Sequence, residues 1–567
     1  MSRPAPALRD AALRWIADDV DADDRAELQR VLASALAGDA AATDELATRM
    51  APPLRFGTAG LRGPLRAGPA GMNRAVVLRA SAGLASWLID QGRTGTVVIG
   101  RDARHRSEEF AADAAGVFGA AGFDAVSLPR PLPTPVLAFA ARRLGAVAGV
   151  QITASHNPAG DNGYKVYTEG GIQIAPPTDA GIEAAIMAAP AAVAVPRDGP
   201  VRVVDVLEDY LRRMAELPFG SARALRVVAT PLHGVGGSAL VGALTRAGFS
   251  DLHLVAEQAQ PDPTFPTVGF PNPEEPGAAD ALLALAAELD ADLAIALDPD
   301  ADRCALGVPD RVGRWRMLRG DETGVLLAEH LLSKRGRPDS LVATSLVSSS
   351  LLRSVAAEHG ARYAETPTGF KWLMRAGEGL VYAYEEALGY CVDPEVVRDK
   401  DGISAAVLAC DLAATARAAG NTLDDLLDGL AVRHGVHRTD QVSIRLPDSS
   451  ALTVAMARLR AGLPAELDGC PVRTQDLLHH PRQPDNTLVL RSGGAGLPSG
   501  EAEPGAGGFR VLVRPSGTEP KLKAYLEVVE PVPTPDRLAA AQQSAQWRLT
   551  TLSQATSMAL SYGWPGA

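Results

Sequence analysis

Ala146-Val-Ala-Gly-Val-Gln-Ile152 is an apolar segment that is followed directly by Thr153-Ala-Ser155-His156-Asn-Pro158. The apolar run up to Ile152 predicts a short buried strand that ends at a polar loop. The Ser155 hydroxyl would then lie at the carboxyl end of a strand, where open α/β sheets bind ligands. Serine is a weak nucleophile at neutral pH, and no Gly-x-Ser-x-Gly elbow surrounds this one. Its activation must therefore come from a neighbouring base, a metal or an electrostatic site.

Composition narrows the classes of function. The chain has 567 residues, of which 46% are hydrophobic, so roughly three to five domains with buried cores are expected. A net charge of −12 without a long basic block argues against nucleic acid and against an anionic membrane surface as partners. Neither an apolar signal core nor an apolar span of ~20 residues is seen, which predicts a cytoplasmic protein. The four cysteines lack Cys-x-x-Cys spacing, so neither a zinc site nor a disulfide framework is predicted.

Lysine is rare in this chain, with six among 55 basic residues. A lysine that persists where arginine is the usual cation indicates a position that needs a compact ammonium of adjustable pKa. Five of the six fall in or beside the polar loops described below, which favours functional roles. The six are Lys165, Lys334, Lys371, Lys400, Lys521 and Lys523.

The helix and strand patterns divide the chain into an extension and four domains. Residues 1–50 predict a helical extension, with helices over 8–16 and 24–36 and a broken tail. Three α/β units are predicted at 51–203, 204–310 and 311–431, each with polar loops after its buried strands. Residues 432–567 alternate polar and apolar side chains, which predicts antiparallel strands within an α+β domain.

Asp298-Pro-Asp300-Ala-Asp302 places three carboxylates directly after a predicted strand. A calcium loop of the EF-hand type is excluded, because Arg303 and Pro309 stand where glycine and glutamate are needed. A solvated acidic turn or an N-cap cluster would also fit the pattern. Three like charges this close repel one another without a cation, however, and hard carboxylate ligands suit Mg²⁺. We therefore predict a Mg²⁺ site.

Three further loops carry polar side chains suited to sugar phosphates. Arg514-Pro-Ser516-Gly517-Thr518-Glu-Pro-Lys521 could be a plain hairpin turn, but basic residues at both ends and two hydroxyls favour a phosphate cradle. In the glycine-punctuated loop over 55–63, Thr58 and Arg62 are either surface residues or anion contacts. The pair Glu385-Glu386 follows a predicted strand and is either solvated or binds sugar hydroxyls.

Taken in order along the chain, these motifs resemble the phosphoglucomutase/phosphomannomutase (α-D-phosphohexomutase) family. The motifs are Thr-Ala-Ser-His-Asn-Pro, Asp-Pro-Asp-Ala-Asp-Arg, Glu-Glu-Ala-Leu-Gly and Arg-Pro-Ser-Gly-Thr-Glu-Pro, and the match runs from about Arg55 to the last domain. The opening Gly-Thr-Ala-Gly-Leu-Arg and the Glu-Glu-Ala-Leu-Gly-Tyr loop are most similar to the phosphoglucomutase-2 and phosphopentomutase branch.

The resemblance implies three tandem mixed α/β domains of similar topology plus a C-terminal α+β domain, arranged around a central cleft. It implies Ser155 as a phosphoserine that binds one Mg²⁺ per chain together with Asp298, Asp300 and Asp302. The transferring phosphoryl group would be surrounded by Arg62, Ser155, His156, Lys165 and Arg303, with Lys165 or His156 as general base. The predicted substrate contacts are Thr58, Thr368, Gly369, Lys371, Glu385, Lys400, Arg514, Ser516, Gly517, Thr518 and Lys521.

The implied function is an isomerase that moves a phosphoryl group between the 1 and 6 positions of a hexose phosphate, with glucose as the first candidate. A bisphosphorylated sugar would be the activator, phosphosugars the partners, and the protein a monomer or homodimer. Many relatives have serine where this chain has Ala387, which leaves phosphomannomutase and phosphopentomutase open. A sugar-bisphosphate synthase, a phosphomonoesterase and a non-catalytic sugar-phosphate sensor would also fit these motifs.

Overall fold

The structure is a computed structural model that describes residues 4–57, 60–336, 339–447, 449–479, 485–493, 507–516 and 521–564. Its contacts divide the chain into two compact units. The first unit comprises Met1–Met317 and Gly389–Ala414, and the second comprises Leu318–Leu388 and Thr415–Ala567. Each unit is described separately below.

The first unit begins with a layer of three helices, α1 (Pro6–Asp18), α2 (Ala22–Leu36) and α3 (Ala40–Arg49). The broken tail expected after residue 36 is wrong, because Asp39 caps a third helix by accepting hydrogen bonds from the backbone of Ala41 and Ala42. Alternation of apolar residues at helical spacing gives the layer its own core, in which Leu28 and Leu46 are fully buried.

The next sheet has seven strands in the order β1-β5-β4-β2-β3-β7, with β6 paired to β5. β4 is the apolar run that the sequence predicted as a buried strand, and all five of its residues are buried. β4 runs parallel to β2 and antiparallel to β5, so the sheet is mixed. Its strands are β1 (Leu61–Pro64), β2 (Thr96–Arg101), β3 (Asp124–Ser127), β4 (Ala148–Ile152), β5 (Asp161–Thr168), β6 (Ile172–Gln173) and β7 (Val201–Val203).

Helices cover this sheet because their apolar faces need burial away from water. α4 and α5 pack on it through a core that includes Val77, Leu84, Phe110 and Phe118. The helices are α4 (Arg74–Asp90), α5 (Ser107–Ala120), α6 (Thr134–Arg143), α7 (Thr178–Ala188) and α8 (Leu207–Met214).

The second sheet of the first unit has the strand order β12-β11-β10-β8-β9. Its central strand β10 is wholly buried, runs parallel to β8 and forms an antiparallel pair with β11. The elements are β8 (Val227–Thr230), α9 (Gly236–Arg246), β9 (Leu252–Leu254), α10 (Asp280–Glu288), β10 (Leu293–Leu297), β11 (Cys304–Pro309) and β12 (Trp315–Met317). β16 (Gly389–Cys391) and most of α14 (Gly402–Ala418) also belong to this unit.

The second unit contains a parallel sheet and an antiparallel sheet. In the first, β13 lies between β14 and β15 and is parallel to both. Its elements are α11 (Gly320–Arg335), β13 (Leu341–Ser345), α12 (Leu351–Glu358), β14 (Arg362–Thr366), α13 (Phe370–Leu373), β15 (Leu380–Glu385) and α15 (Leu423–His434).

The antiparallel sheet has the order β17-β23-β22-β21-β20, as the alternating segments of the last domain predicted. α17 packs on it through Ala545, Leu549 and Leu552. The elements are β17 (Val436–Arg445), α16 (Ser449–Ala461), β18 (Glu466–Leu467), β19 (Cys470–Pro471), β20 (Arg473–Asp476), β21 (Leu488–Gly493), β22 (Gly508–Pro515), β23 (Lys521–Glu530) and α17 (Leu538–Tyr562). The fold is therefore tandem mixed α/β domains followed by a C-terminal α+β domain.

Within the described ranges, a single helix of the length and apolar character needed to cross a membrane is not found. The consecutive helices α14 and α15, separated by a sharp bend, reach that length and composition as a pair.

Candidate active site

Ser155 follows β4 and is held in an uncommon backbone conformation. Its φ of 55° lies in the left-handed region, which a residue with a Cβ atom adopts at a cost of about 1–2 kcal/mol. Its backbone N–H donates to the Thr153 hydroxyl at 2.9 Å, and the residue is 1% exposed. A strained backbone that its surroundings hold in place is typical of a functional site.

Arg104 supplies much of that support, and the sequence analysis gave it no role. Its buried guanidinium donates to the Ser155 carbonyl at 2.6 Å and to the Asn157 carbonyl at 2.7 Å. It also donates to the carbonyls of Pro158 and Asp161. One side chain therefore satisfies four carbonyls of the Ser155 loop. The signal that could have identified Arg104 was its place just after β2, whose carboxyl end lies beside that of β4.

The three aspartates predicted to bind metal lie together at the end of β10. One ligand oxygen from each of Asp298, Asp300 and Asp302 falls within 4.8 Å of the others, and all three side chains are buried. The Ser155 hydroxyl donates to Asp298 Oδ2 at 2.8 Å. The structure therefore brings together the serine and the acidic loop, which lie 143 residues apart in the sequence.

Two side chains of the first sheet's domain donate hydrogen bonds to these carboxylates, and one of them carries a positive charge. Lys165 Nζ donates to Asp300 Oδ2 at 2.6 Å and to Asp302 Oδ2 at 2.7 Å. The Thr134 hydroxyl, which was not identified from the sequence, donates to Asp300 Oδ2 at 2.5 Å. Burial opposes the charge of Lys165, but the two carboxylates outweigh it and raise the pKa of its ammonium.

Two oxygens of the acidic cluster still lack a hydrogen-bond partner among the described residues. Burial, and then repulsion from Asp300 and Asp302, raise the pKa of Asp298 well above its usual value. Oδ1 of Asp300 and Oδ1 of Asp302 are buried and accept no hydrogen bond from the residues that the structure describes. Orphaned carboxylate oxygens are costly unless a cation binds them. The donor set, all hard oxygen, therefore fits Mg²⁺.

The other residues predicted around the phosphoryl group also lie in this region of the first unit. His156 Nδ1 is 3.1 Å from Ser155 Oγ, and burial lowers the pKa of its imidazole. Arg62, on β1, donates to Asn157 Oδ1 at 3.4 Å. The backbone N–H of Arg303 donates to Asp298 Oδ1, and Lys400 Nζ lies 3.7 Å from Asp302 Oδ2. Lys400, predicted beside the sugar, thus contacts the acidic cluster.

The predicted sugar-binding residues lie in the second unit, at the carboxyl edge of its parallel sheet. β13, β14 and β15 end at Ser345, Thr366 and Glu385, and Ser345 pairs in register with Thr366. Thr368, Gly369 and Lys371 follow β14 directly, at the start of α13. Strands that end at one edge bring their loops together, so Glu385 shares that edge with these residues.

Glu386, the second carboxylate of the pair, is fixed by serines that the sequence analysis did not identify. Its Oε2 accepts hydrogen bonds from the Ser345 hydroxyl at 2.9 Å and from the Ser348 hydroxyl at 3.0 Å. Its own backbone N–H donates to Ser348 Oγ. The Glu385-Glu386 loop is therefore anchored to the end of β13.

A buried polar network lies behind this anchor. Glu527 Oε2 accepts from Arg510 Nε at 2.5 Å, and Glu527 Oε1 accepts from the Ser349 hydroxyl at 2.6 Å. Nearby, Asp321 Oδ1 accepts from the Ser349 backbone at 2.7 Å and from the Tyr384 hydroxyl at 3.0 Å. Asp321 has no cation partner among these contacts, and burial raises the pKa of its carboxyl to about 7.

Only part of the predicted phosphate cradle lies within the residues that the structure describes. β22 and β23 form an antiparallel pair that brings Arg514 beside Lys523. Just beyond that pair, the backbone N–H of Ser516 donates to the Lys521 carbonyl at 2.8 Å, which closes the turn. Arg514, Ser516 and Lys521 are thus close together in the second unit. Thr58, Gly517 and Thr518 lie outside the described residues.

Four family models match the chain in order along its length. They are described as phosphoglucomutase/phosphomannomutase alpha/beta/alpha domain I at 53–192, domain II at 208–312, domain III at 319–433, and the C-terminal domain at 483–541. Together they cover well over half of the 567 residues.

Individual relatives match over most of their length. A Haemophilus influenzae protein named "Probable phosphomannomutase" is 42% identical, with 81% of this chain and 93% of the relative aligned. A Schizosaccharomyces pombe "Probable phosphoribomutase" is 34% identical, over 92% of this chain and 94% of the relative. A Staphylococcus aureus phosphoglucomutase is 31% identical, over 84% of this chain and 89% of the relative.

The tandem α/β domains and these matches define an isomerase of the phosphosugar mutase class, which moves a phosphoryl group within its substrate. The chain belongs to the phosphoglucomutase/phosphomannomutase family.

Replacement of Asp300 by asparagine tests whether the acidic cluster serves chemistry or folding. We expect Asp300→Asn to lower turnover about a hundredfold or more, because it removes a charge that holds both the cation and Lys165. Its melting temperature should fall much less. The matched control is Asp411→Asn, a buried aspartate of the same unit that accepts backbone hydrogen bonds from Phe219 and Gly220. Equal losses of turnover and stability in Asp300→Asn would show that the loop is structural.

The raised pKa of Asp321 predicts a pH dependence of stability. A carboxyl whose pKa is about 7 in the folded state and 3.8 in the unfolded state binds more protons when folded. Its contribution to stability therefore falls as pH rises from about 4 to about 7 and is constant above that range. Plots of melting temperature against pH for the wild type and for Asp321→Asn should diverge in favour of the variant between about pH 4 and pH 7. Parallel curves would contradict this assignment.

Proposed function

We propose that the protein interconverts hexose 1-phosphate and hexose 6-phosphate, with glucose as the first substrate to test and Ser155 as the phosphoryl carrier. The observation that carries the proposal is the buried Ser155 hydroxyl, 2.8 Å from Asp298 in a cluster of three aspartates and one ammonium. A bisphosphorylated sugar would activate the enzyme. A cytoplasmic location and domain bounds of 51–203, 204–310, 311–431 and 432–567 belong to the same proposal.

In the first half-reaction, a hydroxyl of the sugar phosphate attacks the phosphorus of phosphoserine 155. The bond from phosphorus to the serine oxygen breaks while a bond to the sugar oxygen forms, the proton of the sugar hydroxyl is transferred to the departing serine oxygen, and the product is a sugar bisphosphate. In the second half-reaction the Ser155 hydroxyl attacks the other phosphate and its proton passes through His156 to the departing sugar oxygen, which regenerates phosphoserine and releases the isomeric monophosphate. Phosphoryl transfer of this kind requires positioning and charge neutralisation more than covalent assistance.

The residues around Ser155 suit these requirements. Lys165 and Arg62 place positive charge beside the serine loop, where charge on the transferring group needs compensation. His156 is proposed as the proton acceptor for Ser155, because its ring nitrogen faces the hydroxyl at 3.1 Å and Asp298 is assigned to the cation. The left-handed backbone of Ser155, supported by Arg104, keeps the hydroxyl on this side of the loop.

A Mg²⁺ ion would be held by Asp298, Asp300 and Asp302, with Ser155 as a fourth ligand. When bound, it would supply positive charge at the transferring phosphoryl group. This assignment rests on the orphaned oxygens of Asp300 and Asp302.

In the second unit, Glu385 is proposed to bind sugar hydroxyls, together with Thr368, Gly369 and Lys371 at the same sheet edge. Arg514, Ser516 and Lys521 are proposed to bind the phosphate that does not react. Thr58, Gly517 and Thr518 keep their predicted roles in substrate binding. Lys400 is proposed to bind substrate through an ammonium that already lies beside the acidic cluster.

A pentose phosphate is the second candidate substrate. One relative is named a phosphoribomutase, and Ala387 cannot offer the hydroxyl that many relatives place in the sugar loop. Glucose and mannose are supported by the relatives named a phosphoglucomutase and a phosphomannomutase.

The carrier role of Ser155 can be tested by intact-mass spectrometry. The wild type incubated with glucose 1,6-bisphosphate should gain one phosphate, while Ser155→Ala should gain none and should lose mutase activity. Glucose 1-phosphate should be isomerised without release of inorganic phosphate and only when primed with the bisphosphate. Full activity in Ser155→Ala would refute the mechanism, and stoichiometric release of phosphate would identify a phosphomonoesterase.

Substrate preference can be tested with the variant Ala387→Ser. A hydroxyl at this position should restore one hydrogen bond to a hexose, worth about 1 kcal/mol or roughly fivefold in kcat/KM. We expect the ratio of kcat/KM for glucose 1-phosphate over ribose 1-phosphate to rise by that factor, while the kcat/KM for ribose 1-phosphate stays constant. An unchanged ratio would remove Ala387 as a determinant of substrate choice.

A further inference from the structure

The N-terminal helices α1–α3 contact the first sheet's domain at two places near the Ser155 loop. At one, Glu27 Oε2 accepts from the Ala67 backbone at 3.1 Å, while Arg49 donates to the Ala67 carbonyl at 3.3 Å and to Glu27 at 2.7 Å. Ala67 lies three residues after β1, the strand that carries Arg62. At the other place, the helices contact Arg106.

Arg106 forms ion pairs with two aspartates, Asp24 of α2 and Asp21, which is the N-cap residue of that helix. Its guanidinium donates to both carboxylate oxygens of Asp24, at 2.8 and 3.0 Å, and to Asp21 Oδ2 at 2.7 Å. The other oxygen of Asp21 caps α2 by accepting from the backbone of Asp23 and Asp24. These ion pairs thus hold the Arg106 side chain at the start of α2.

The backbone of Arg106 needs such support. Its φ of 64° lies in the left-handed region, where a residue with a Cβ atom is strained. Arg106 lies in the turn formed by residues 102–107 and immediately precedes α5 (Ser107–Ala120). Ion pairs that hold its side chain therefore also hold the conformation of this turn.

The 102–107 turn carries Arg104, whose guanidinium satisfies the carbonyls of the Ser155 loop. Within the turn, Asp102 Oδ1 accepts from the Arg104 backbone at 3.0 Å and from the Ser107 hydroxyl at 2.7 Å. Asn162, at the start of β5, donates to the His105 carbonyl at 2.9 Å. The turn that contains Arg106 is thus held by its own hydrogen bonds and by Asn162, and through Arg104 it contacts the Ser155 carbonyl.

We propose that the N-terminal helices position the catalytic serine, through the ion pairs of Asp21 and Asp24 with Arg106, which fix the 102–107 turn and hence Arg104. Asp21, Asp24 and Arg106 are positioning residues, since none of them touches the reacting atoms. The inference rests on the proposed function in one respect, which is that Ser155 carries the phosphoryl group.

The test uses the full-length protein and three variants that release the turn. Asp21→Asn keeps the helix cap, because asparagine is also a good N-cap residue, but removes the ion pair with Arg106 and the longer one with Arg74. Arg106→Gly removes all the ion pairs of Arg106 yet tolerates a positive φ, whereas Arg106→Ala keeps the strained backbone without the ion pairs that hold it. We expect kcat to fall about tenfold to a hundredfold for Arg106→Gly, and further for Arg106→Ala, because small displacements of reacting groups are costly.

A merely stabilising role would not produce the same pattern. In our proposal, KM for glucose 1-phosphate stays within about twofold of wild type, because displacing the serine loop impairs transfer more than substrate binding. The rate of phosphate uptake at Ser155 from glucose 1,6-bisphosphate should fall with kcat. The control is Asp39→Ala, which removes the N-cap of α3 without contacting Arg106 or the 102–107 turn. It should lower the melting temperature and leave kcat unchanged.

Two results would overturn the inference. One is wild-type kcat in Asp21→Asn and Arg106→Gly at a temperature where both are folded. The other is a loss of kcat in Asp39→Ala as large as that in Arg106→Gly. If Arg106→Ala fails to fold, Asp21→Asn and Arg106→Gly still decide the question. Absence of phosphate uptake by the wild type would instead contradict the proposed function itself.

Discussion

Electrostatic repulsion among Asp298, Asp300 and Asp302 is the constraint on which the first unit depends. Three carboxylates at most 1% exposed cannot all be charged without compensation, since burial removes the water that would solvate them. Lys165 compensates part of that charge from the domain of another sheet, and the hydroxyls of Thr134 and Ser155 in the same domain donate hydrogen bonds to the carboxylates. Polar contacts thus join the two sheets of this unit and leave two carboxylate oxygens for a cation. The need to compensate buried negative charge therefore holds the candidate active site together.

The second unit handles buried charge differently. Arg510 and Glu527 are both nearly fully buried and neutralise each other directly, and the serine turn after β13 completes their hydrogen bonds. Such a pair is not a strong source of stability, because desolvation offsets much of the attraction. It does specify one arrangement of the turn, and the hydroxyls of Ser345 and Ser348 in that turn fix Glu386. The ion pair of Arg510 with Glu527 thus fixes the geometry of the serine turn and leaves no oxygen of Glu527 for an ion.

Much of the fold could be predicted from the sequence because its buried strands are short apolar runs, as with β4 and β10. The aspartates and Ser155 were found because each motif follows such a strand. Arg104, Thr134 and Ser348 were missed for a shared physical reason, which is that they act on residues far away in the sequence and carry no local pattern. The third N-terminal helix was missed because its short, alanine-rich segment has one large apolar side chain, Leu46, and its cap at Asp39 decides the outcome.

The two halves of the acidic site lie far apart in the sequence, so the ribosome synthesises them at different times. Ser155 and Lys165 lie on either side of one hairpin turn, while their carboxylate partners are encoded 135 to 143 residues later. At ribosomal rates of about 5–20 residues per second, the hairpin emerges roughly 7 to 30 seconds before the acidic loop. A first sheet that folds in that interval has a Lys165 ammonium without its two carboxylate partners. Because burial of an unpaired charge is costly, we expect the edge of the sheet at Lys165 to stay hydrated until the acidic loop has been made.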